Sequence, residues 1–525
     1  MFWLITVIPV LVASAYAAVY SVAIDSEHLY FIWETNANEA GEFIQYLLNV
    51  GMGKLLVILI ILLFNIVSLV FFMSNLKKIK KNSFLSSLPA LLFCLLCLKM
   101  IFSLGFLSQN NTIVFYSSFF DYNIQSADII SFTNKSALDI KNIEVKNTLS
   151  GGSGEVYVVV IGESASRHHM SLYGYGRSTD VQMKKLDREG ELLAYGNVIS
   201  RFTGTTNSLV HALSFKDPQS SFDTFRYSIV DVFKQAGFKT YWISNNAVMP
   251  RKEALLRTIW GNADEIYFVP PKKMDVMTIA GYYADTRDPA VKANIIYDDA
   301  LFPRFQKILE QEEKRKVIFV HLRGSHNTYW YRFPEKFNNF RDSSGIPPKK
   351  FELSDEMISV TNDYDNSVLY TDYILSQLIG KLKATGRPSW LLYFSDHGEE
   401  VFDDRLSYGR QTDLDKVTKY MMDIPFFVWF SEGFPSKRTI KNLKKESNRP
   451  FSLDGLIHSI MDLAQLETEL LNEKKSIFSA SYEIPKRYYQ EPSMQIKGER
   501  PYLQIPPLEL YNSLAVSDEI KALKK

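Results

Sequence analysis

Cysteine is almost absent: the 525 residues contain two, Cys94 and Cys97. Both lie within one long apolar run, so no disulfide can staple the rest of the chain even in an oxidising compartment. Inside a segment of that kind, the C-x-x-C spacing reads as small residues packing or facing lipid rather than as a redox pair. An excess of one charge is also missing. Lysine and arginine number 59 against 58 aspartate and glutamate, which removes any bulk electrostatic pull toward nucleic acid. No fixed-period repeat occurs, and the length exceeds what one core holds, so at least two domains are expected.

Three apolar runs are present, Phe2–Val19, Leu55–Met73 and Leu88–Leu107. Each is close to the roughly 20 residues a helix needs to cross a bilayer core. The first lacks a basic leading region and a small-residue cleavage site before Tyr20, so it reads as a retained helix rather than a signal peptide. Lys77, Lys78, Lys80 and Lys81 fall between the second and third runs and mark the cytoplasmic side. That orientation puts Ser21–Lys54, and everything after the third run, outside the cytoplasm. Residues 1–107 are thus expected to form a membrane domain with three helices, followed by a polar connector over 108–154. The connector closes on Ser150-Gly151-Gly152-Ser153-Gly154, a flexible linker composition.

Beyond the linker, apolar runs at Val156–Ile161, Thr240–Ile243, Val317–Leu322, Trp390–Phe394 and Phe426–Phe430 read as buried strands. Amphipathic stretches such as Ser228–Ala236 and Glu356–Leu382 lie between them. This alternation predicts an α/β fold with a mainly parallel central sheet over 155–525. Ligands bind such sheets where the strands end. Three strand ends carry Gly162-Glu163-Ser164, Arg323-Gly324-Ser325-His326 and Ser395-Asp396-His397-Gly398-Glu399-Glu400. Singly, Glu163 reads equally well as a helix cap, His326 as a loop histidine and Asp396 as a turn former. Together they offer the carboxylate and imidazole donors that suit zinc.

A nucleophile is sought in "SRFTGTTNSL", Ser200–Leu209, where Thr205 opens an apolar helical run. Its hydroxyl could cap that helix or face an anion at the positive helix end; Thr203, Thr206 and Ser208 stay open as alternatives. Arg167, His168 and His169 read as orienting or salt-bridging groups. Asn245 and Asn246 line a pocket or make a turn, and Asp365, Asn366 and Tyr370 lie on a long helix expected to pack beneath the site.

The blocks "GESASRHHMSLYGYGRSTD", "HLRGSHNTYWYRFP", "YDNSVLYTDYILSQLI" and "YFSDHGEEVFDD" resemble, in order, those of the membrane-anchored phosphoethanolamine transferases of the alkaline phosphatase/sulfatase superfamily, most of all the members that modify the lipopolysaccharide core. The resemblance covers about residues 20–50 and 150–470. It implies transfer from phosphatidylethanolamine to an envelope acceptor, lipopolysaccharide core or lipid A, through a covalent phospho-threonine intermediate. It also implies a monomer in the inner membrane with its catalytic domain in the periplasm and no nucleic-acid partner. By motif, Glu163, Thr205, Asp396 and His397 match zinc ligands, Thr205 matches the nucleophile, and His326 matches a histidine that assists substrate or a second zinc. Asn246 falls in a block expected to touch substrate. "WETNANEAGEF", Trp33–Phe43, resembles the segment that holds the lipid donor and places Thr35 and Glu39 on one helical face.

The chain departs from that family in several ways. It has three apolar helices where five are usual, and no cysteine in the soluble part. A histidine expected within Ser407–Pro425 is replaced, with Tyr408 or Tyr420 near its place. A lysine expected after Asn246 is missing, with Met249 and Arg251 nearby. These departures leave a second zinc open and keep two other functions in view: a phosphoglycerol-type transferase acting on a periplasmic glucan, and a catalytically silent lipid-binding envelope protein. A sulfatase with a formylglycine nucleophile is excluded, since "TGTTNSLVH" has neither the proline nor the arginine of C/S-x-P-x-R.

Overall fold

Seven uncharged residues, Val156–Gly162, form strand β1, and all seven are buried. Tyr157, Val159 and Ile161 enter one apolar cluster while Val156, Val158 and Val160 enter another, because successive side chains of a strand point to opposite faces. A strand covered on both sides has no polar face to alternate with, which is why the run is continuous. The central sheet then takes, in chain order, β2 (Leu192–Ala194), β3 (Lys239–Ser244), β4 (Glu265–Phe268), β5 (Lys316–His321), β6 (Ser389–Ser395) and β7 (Phe426–Phe430).

In space the order is β2-β7-β6-β1-β5-β3-β4. The five strands from β6 to β4 run parallel, and β7 runs antiparallel to both β6 and β2. The mainly parallel sheet expected from the sequence is therefore present, with an antiparallel margin. Gly162 lies opposite Ser395, and Ile161 opposite His321. This register brings the carboxyl ends of β5, β1 and β6 level with one another.

Helices cover both faces. Among them are α1 (Val181–Glu189), α2 (Thr205–Ala212), α3 (Ile229–Gln235), α4 (Phe302–Glu310), α5 (Asp355–Ala384) and α6 (Leu456–Leu463). Leu209, Ile229 and Leu456 join the first cluster, and Met183, Phe305 and Leu375 the second. Local signals agree with this placement. Ser228 and Asp231 form a capping box at the start of α3, satisfying two amides that the helix cannot. Ser354 caps α5, with Asp355 and Glu356 in its first turn and Lys381 and Lys383 in its last, charges that complement the helix dipole.

This computed structural model describes residues 144–148, 154–215, 227–246, 250–270, 287, 289–410, 417–432, 434, 443–489 and 503–504. They fall within one unit, Ile129–Lys273 with Gly281–Lys525. The three apolar runs, Thr35, Glu39, Cys94, Cys97 and most of the connector lie outside the described residues. Among the described residues no helix is long and apolar enough to cross a membrane.

Candidate metal centre

Glu163 leaves β1, and Asp396 and His397 leave the neighbouring β6. Each offers one ligand atom, and these atoms lie within 4.8 Å of one another. His397 Nε2 is 3.3 Å from Glu163 Oε1 and 3.4 Å from Asp396 Oδ2. All three side chains are buried. The two residues after β6 owe their orientation to the backbone of β1: the Asp396 amide donates to the Gly162 carbonyl at 3.0 Å, and the Ser164 amide donates back to Asp396 Oδ1 at 3.1 Å. Ser164 holds φ at 55°, a strained value for a residue other than glycine. Its amide bond to Asp396 and its hydroxyl bond to Glu163 Oε1 hold it there.

One of the ligand atoms has no hydrogen-bond partner among the described residues. Asp396 Oδ1 takes amides from Ser164 and His397, while Oδ2 is buried and accepts no hydrogen bond from the described residues. His397 Nδ1 lies 2.7 Å from the Gly398 carbonyl. A carbonyl can only accept, so the proton sits on Nδ1, and Nε2 faces the Arg410 guanidinium at 3.0 Å with the two carboxylates just beyond. Burial, and then the Glu163 charge, pushes the Asp396 carboxyl up. Burial also opposes charge on Glu163, yet its contact with the His397 ring and the nearby Arg410 guanidinium hold its carboxyl well below the usual range. Two carboxylates this close without a cation tend to share one proton. The orphaned oxygen, the fixed imidazole tautomer and the donor set all fit a divalent ion.

Thr205 is the first residue of α2, and the cap position before it is Gly204, which has no side chain to fill that role. The Thr205 hydroxyl caps nothing; it donates to Glu163 Oε2 at 3.0 Å. Ser208 instead turns its hydroxyl to the Asp396 backbone carbonyl and meets Ser200 Oγ at 3.0 Å. Thr205 is half-buried at the positive end of α2, where the first amides lack partners within the helix.

Gly324, after β5, sits so close to β1 that an added Cβ would meet the Glu163 carbonyl oxygen at 2.8 Å and its amide nitrogen at 2.9 Å. Its φ of +49° also favours glycine. The turn carries His326, whose Nε2 lies 3.4 Å from Arg410 Nη2. Burial, helped by Arg410 and Arg332, holds that imidazole well below its ordinary range and so neutral. Asn246 donates its side-chain amide to the Leu322 carbonyl at 2.9 Å; it ties two strand ends together at the rim.

Beneath the site, His169 Nδ1 lies 2.7 Å from Asp365 Oδ1, and Nε2 lies 3.1 Å from Asp403 Oδ2. Arg177 and Tyr175 bind the other Asp365 oxygen, and Tyr364 donates to the Ser164 carbonyl at 2.7 Å. His168 and Arg167 both pair with Asp423 Oδ2 at 2.7 Å. The orienting roles read for these basic residues thus have partners, on a single 3-10 turn, Arg167–His169.

Arg410, Glu399 and Tyr329 escaped the sequence reading. Arg410 Nη1 is 3.0 Å from His397 Nε2, and Tyr329 donates to Glu399 Oε1 at 2.7 Å. Tyr408 tilts its ring at 60° to that of Tyr329, 5.9 Å away, and Tyr420 sets its ring edge-on to His168 at 4.6 Å. Met249 lies outside the described residues, as does the side chain of Arg251. One signal was available for Arg410: it is an isolated basic residue a short way past the Asp-His pair, immediately after a glycine. No periodicity marks it.

A family model described as Sulfatase matches residues 155–466. Phosphoethanolamine transferase EptC of Escherichia coli strain K12 is 31% identical over 347 residues, covering 65% of this chain but only 56% of that protein. Phosphoethanolamine transferase CptA of Salmonella typhimurium is 28% identical over 498 residues, covering 92% of this chain and 82% of that protein. The crystal structure of the C-terminal periplasmic domain of E. coli EptC in complex with Zn superimposes with a TM-score of 0.60 at 29% identity, over 71% of this chain and 96% of that one. The resemblance carried by the motif blocks is thereby met independently along most of the described sheet, and the chain belongs to the sulfatase family of the alkaline phosphatase/sulfatase superfamily, related to the phosphoethanolamine transferases.

Proposed function

We propose that this protein transfers phosphoethanolamine from phosphatidylethanolamine to a cell-envelope acceptor, the lipopolysaccharide core or lipid A, in two displacements at Thr205. The observation that carries this reading is the 3.0 Å hydrogen bond from the Thr205 hydroxyl to Glu163, one of three residues whose ligand atoms converge. The site is read as holding zinc on Glu163, Asp396 and His397. Bound there, the ion supplies positive charge that lowers the hydroxyl pKa and neutralises phosphoryl oxygens.

The residues do the rest. Thr205 Oγ attacks phosphorus, its proton passing along the hydrogen bond toward Glu163, and the bond to the diacylglycerol oxygen breaks. Diacylglycerol leaves with a proton, and phosphoethanolamine remains esterified to Thr205. An acceptor oxygen then attacks the same phosphorus, its proton is released, and the Thr205 oxygen departs. Amides of the first turn of α2, which have no partner within the helix, offer hydrogen bonds to phosphoryl oxygens in both steps. Positioning and charge stabilisation carry most of such chemistry. In the same reading, residues 1–107 anchor the chain in the inner membrane, Thr35 and Glu39 help hold the lipid donor, and the domain over 155–525 works in the periplasm as a monomer.

Mass spectrometry of lipopolysaccharide from cells with and without the gene tests the reading. A gain of one phosphoethanolamine, lost in Thr205→Ala, is expected; a gain that persists in Thr205→Ala removes Thr205 as nucleophile.

A further inference from the structure

Neither displacement step uses Arg410, yet its guanidinium stands within the candidate centre. Nη1 lies 3.0 Å from His397 Nε2 and 4.0 Å from Glu163 Oε1, and Nη2 lies 3.4 Å from His326 Nε2. The backbone sets this position. Past β6, Glu400 and Val401 pair antiparallel with Gly409 and Tyr408, so the chain doubles back and delivers its next residue onto the Asp-His pair. Gly409, the last residue of this ribbon, holds φ at +94°. The Arg410 side chain is 30% exposed, so the residue is not sealed from solvent.

The surroundings set Arg410 apart from a structural ion pair. Its contact with Glu163, at 4.0 Å, is longer than the roughly 2.7–2.9 Å of a direct charge-assisted bond. Its two nearer contacts are to imidazole nitrogens rather than to carboxylates. The nearby Glu399 is buried and takes its hydrogen bond from Tyr329, while its Oε2 accepts none from the described residues. Glu163, Glu399 and Asp396 thus hold the guanidinium by their field, and among the described residues no oxygen takes a hydrogen bond from its N–H donors.

We propose that Arg410 is the second positive charge of this site: it binds the non-bridging oxygens of a phosphate ester lying against Thr205, so that the centre takes one divalent ion rather than two. The proposal rests on the phosphoryl-transfer reading above. A guanidinium presents a planar fork that matches two phosphate oxygens and stays charged at every working pH. Zinc held by His397 Nε2 would replace Nη1 there, whereas a second divalent ion beside His326 would have to displace Nη2 as well and leave the fork no place in the site. The ligand class is a phosphate oxyanion, from either a lipid diester headgroup or free phosphate.

The test titrates the zinc-loaded full chain in detergent with inorganic phosphate and, separately, with glycerophosphoethanolamine. Arg410→Ala is expected to weaken binding by about 10- to 100-fold, and Arg410→Lys by less, since an ammonium keeps the charge but not the fork. Weakening with either ligand supports the proposal, and the arm that responds more names the source. Metal analysis of the same samples is the second readout and the check on folding: one zinc per chain is expected in all three proteins. Unchanged affinities for both ligands in Arg410→Ala, or two zinc ions per wild-type chain, would overturn it. Absence of zinc from the wild type would instead overturn the metal reading, leaving the contribution of Arg410 to phosphate binding still measurable.

Discussion

The Thr205 hydroxyl and the Glu163 carboxylate meet at 3.0 Å across 42 positions of sequence. One opens a helix and the other closes a buried strand, so the contact exists only because α2 docks with its first turn over the end of β1. A hydroxyl at that place is aligned with a carboxylate that is itself held against Asp396 and His397.

Replacing Glu163 by glutamine keeps the shape but removes one of two negative charges from the donor set. Zinc affinity is expected to fall at least about 10- to 100-fold, and phosphoethanolamine transfer with it. Metal content at fixed free zinc reads the first effect. Undiminished zinc in Glu163→Gln would exclude this carboxylate as a ligand.

Thr205→Ser retains a hydroxyl and is expected to keep transfer within about tenfold, whereas Thr205→Ala should lose at least about a thousandfold. Mass spectrometry of the modified acceptor measures both. Equal activities for serine and alanine at this position would point to another nucleophile.

Gly324→Ala puts a methyl group against two backbone atoms of Glu163, at 2.8 and 2.9 Å, in a left-handed conformation. Backbone cannot swing aside as a side chain does. A loss of more than about 1 kcal/mol in stability is expected, together with weaker zinc binding because the strand end shifts. Urea denaturation and zinc titration check the pair; an unchanged result in both would mean that the turn accommodates the methyl group.

His169 supplies a pH signature away from the metal ligands. Burial disfavours its charge most, but Asp403 and Asp365 outweigh burial and push the imidazole up to about 9 from its ordinary 6.5. The folded state therefore holds a proton that the unfolded state releases between those values. Stability from this group is fully present below about pH 6.5 and is lost as pH rises through about 9, at roughly 1.4 kcal/mol per pH unit. The stability difference between the wild type and His169→Gln, measured in urea, should be larger at pH 6 than at pH 10. A difference independent of pH would mean that the ring is neutral in the fold.

Much of this was readable along the chain. The five strands inferred from apolar runs are present within a residue or two, because burial on both faces leaves an unbroken apolar signature. Glu163, Asp396 and His397 were identifiable because residues just past buried parallel strands share one rim whatever the detailed packing. Other features were decided elsewhere. Four hydroxyls in Thr203–Ser208 were equivalent in sequence, and only the docking of α2 turned Thr205 to Glu163 while committing Ser208 to a backbone carbonyl. The tautomer of His397 depends on where the Gly398 carbonyl points. Arg410 carries no periodic pattern, and a two-residue ribbon brings it back to the site. The sequence by itself determined which segments are buried and which side chains stand at their ends, since burial is a local property repeated residue by residue. Strand register and helix docking, which arise from contacts between distant segments, decided which of those side chains face one another.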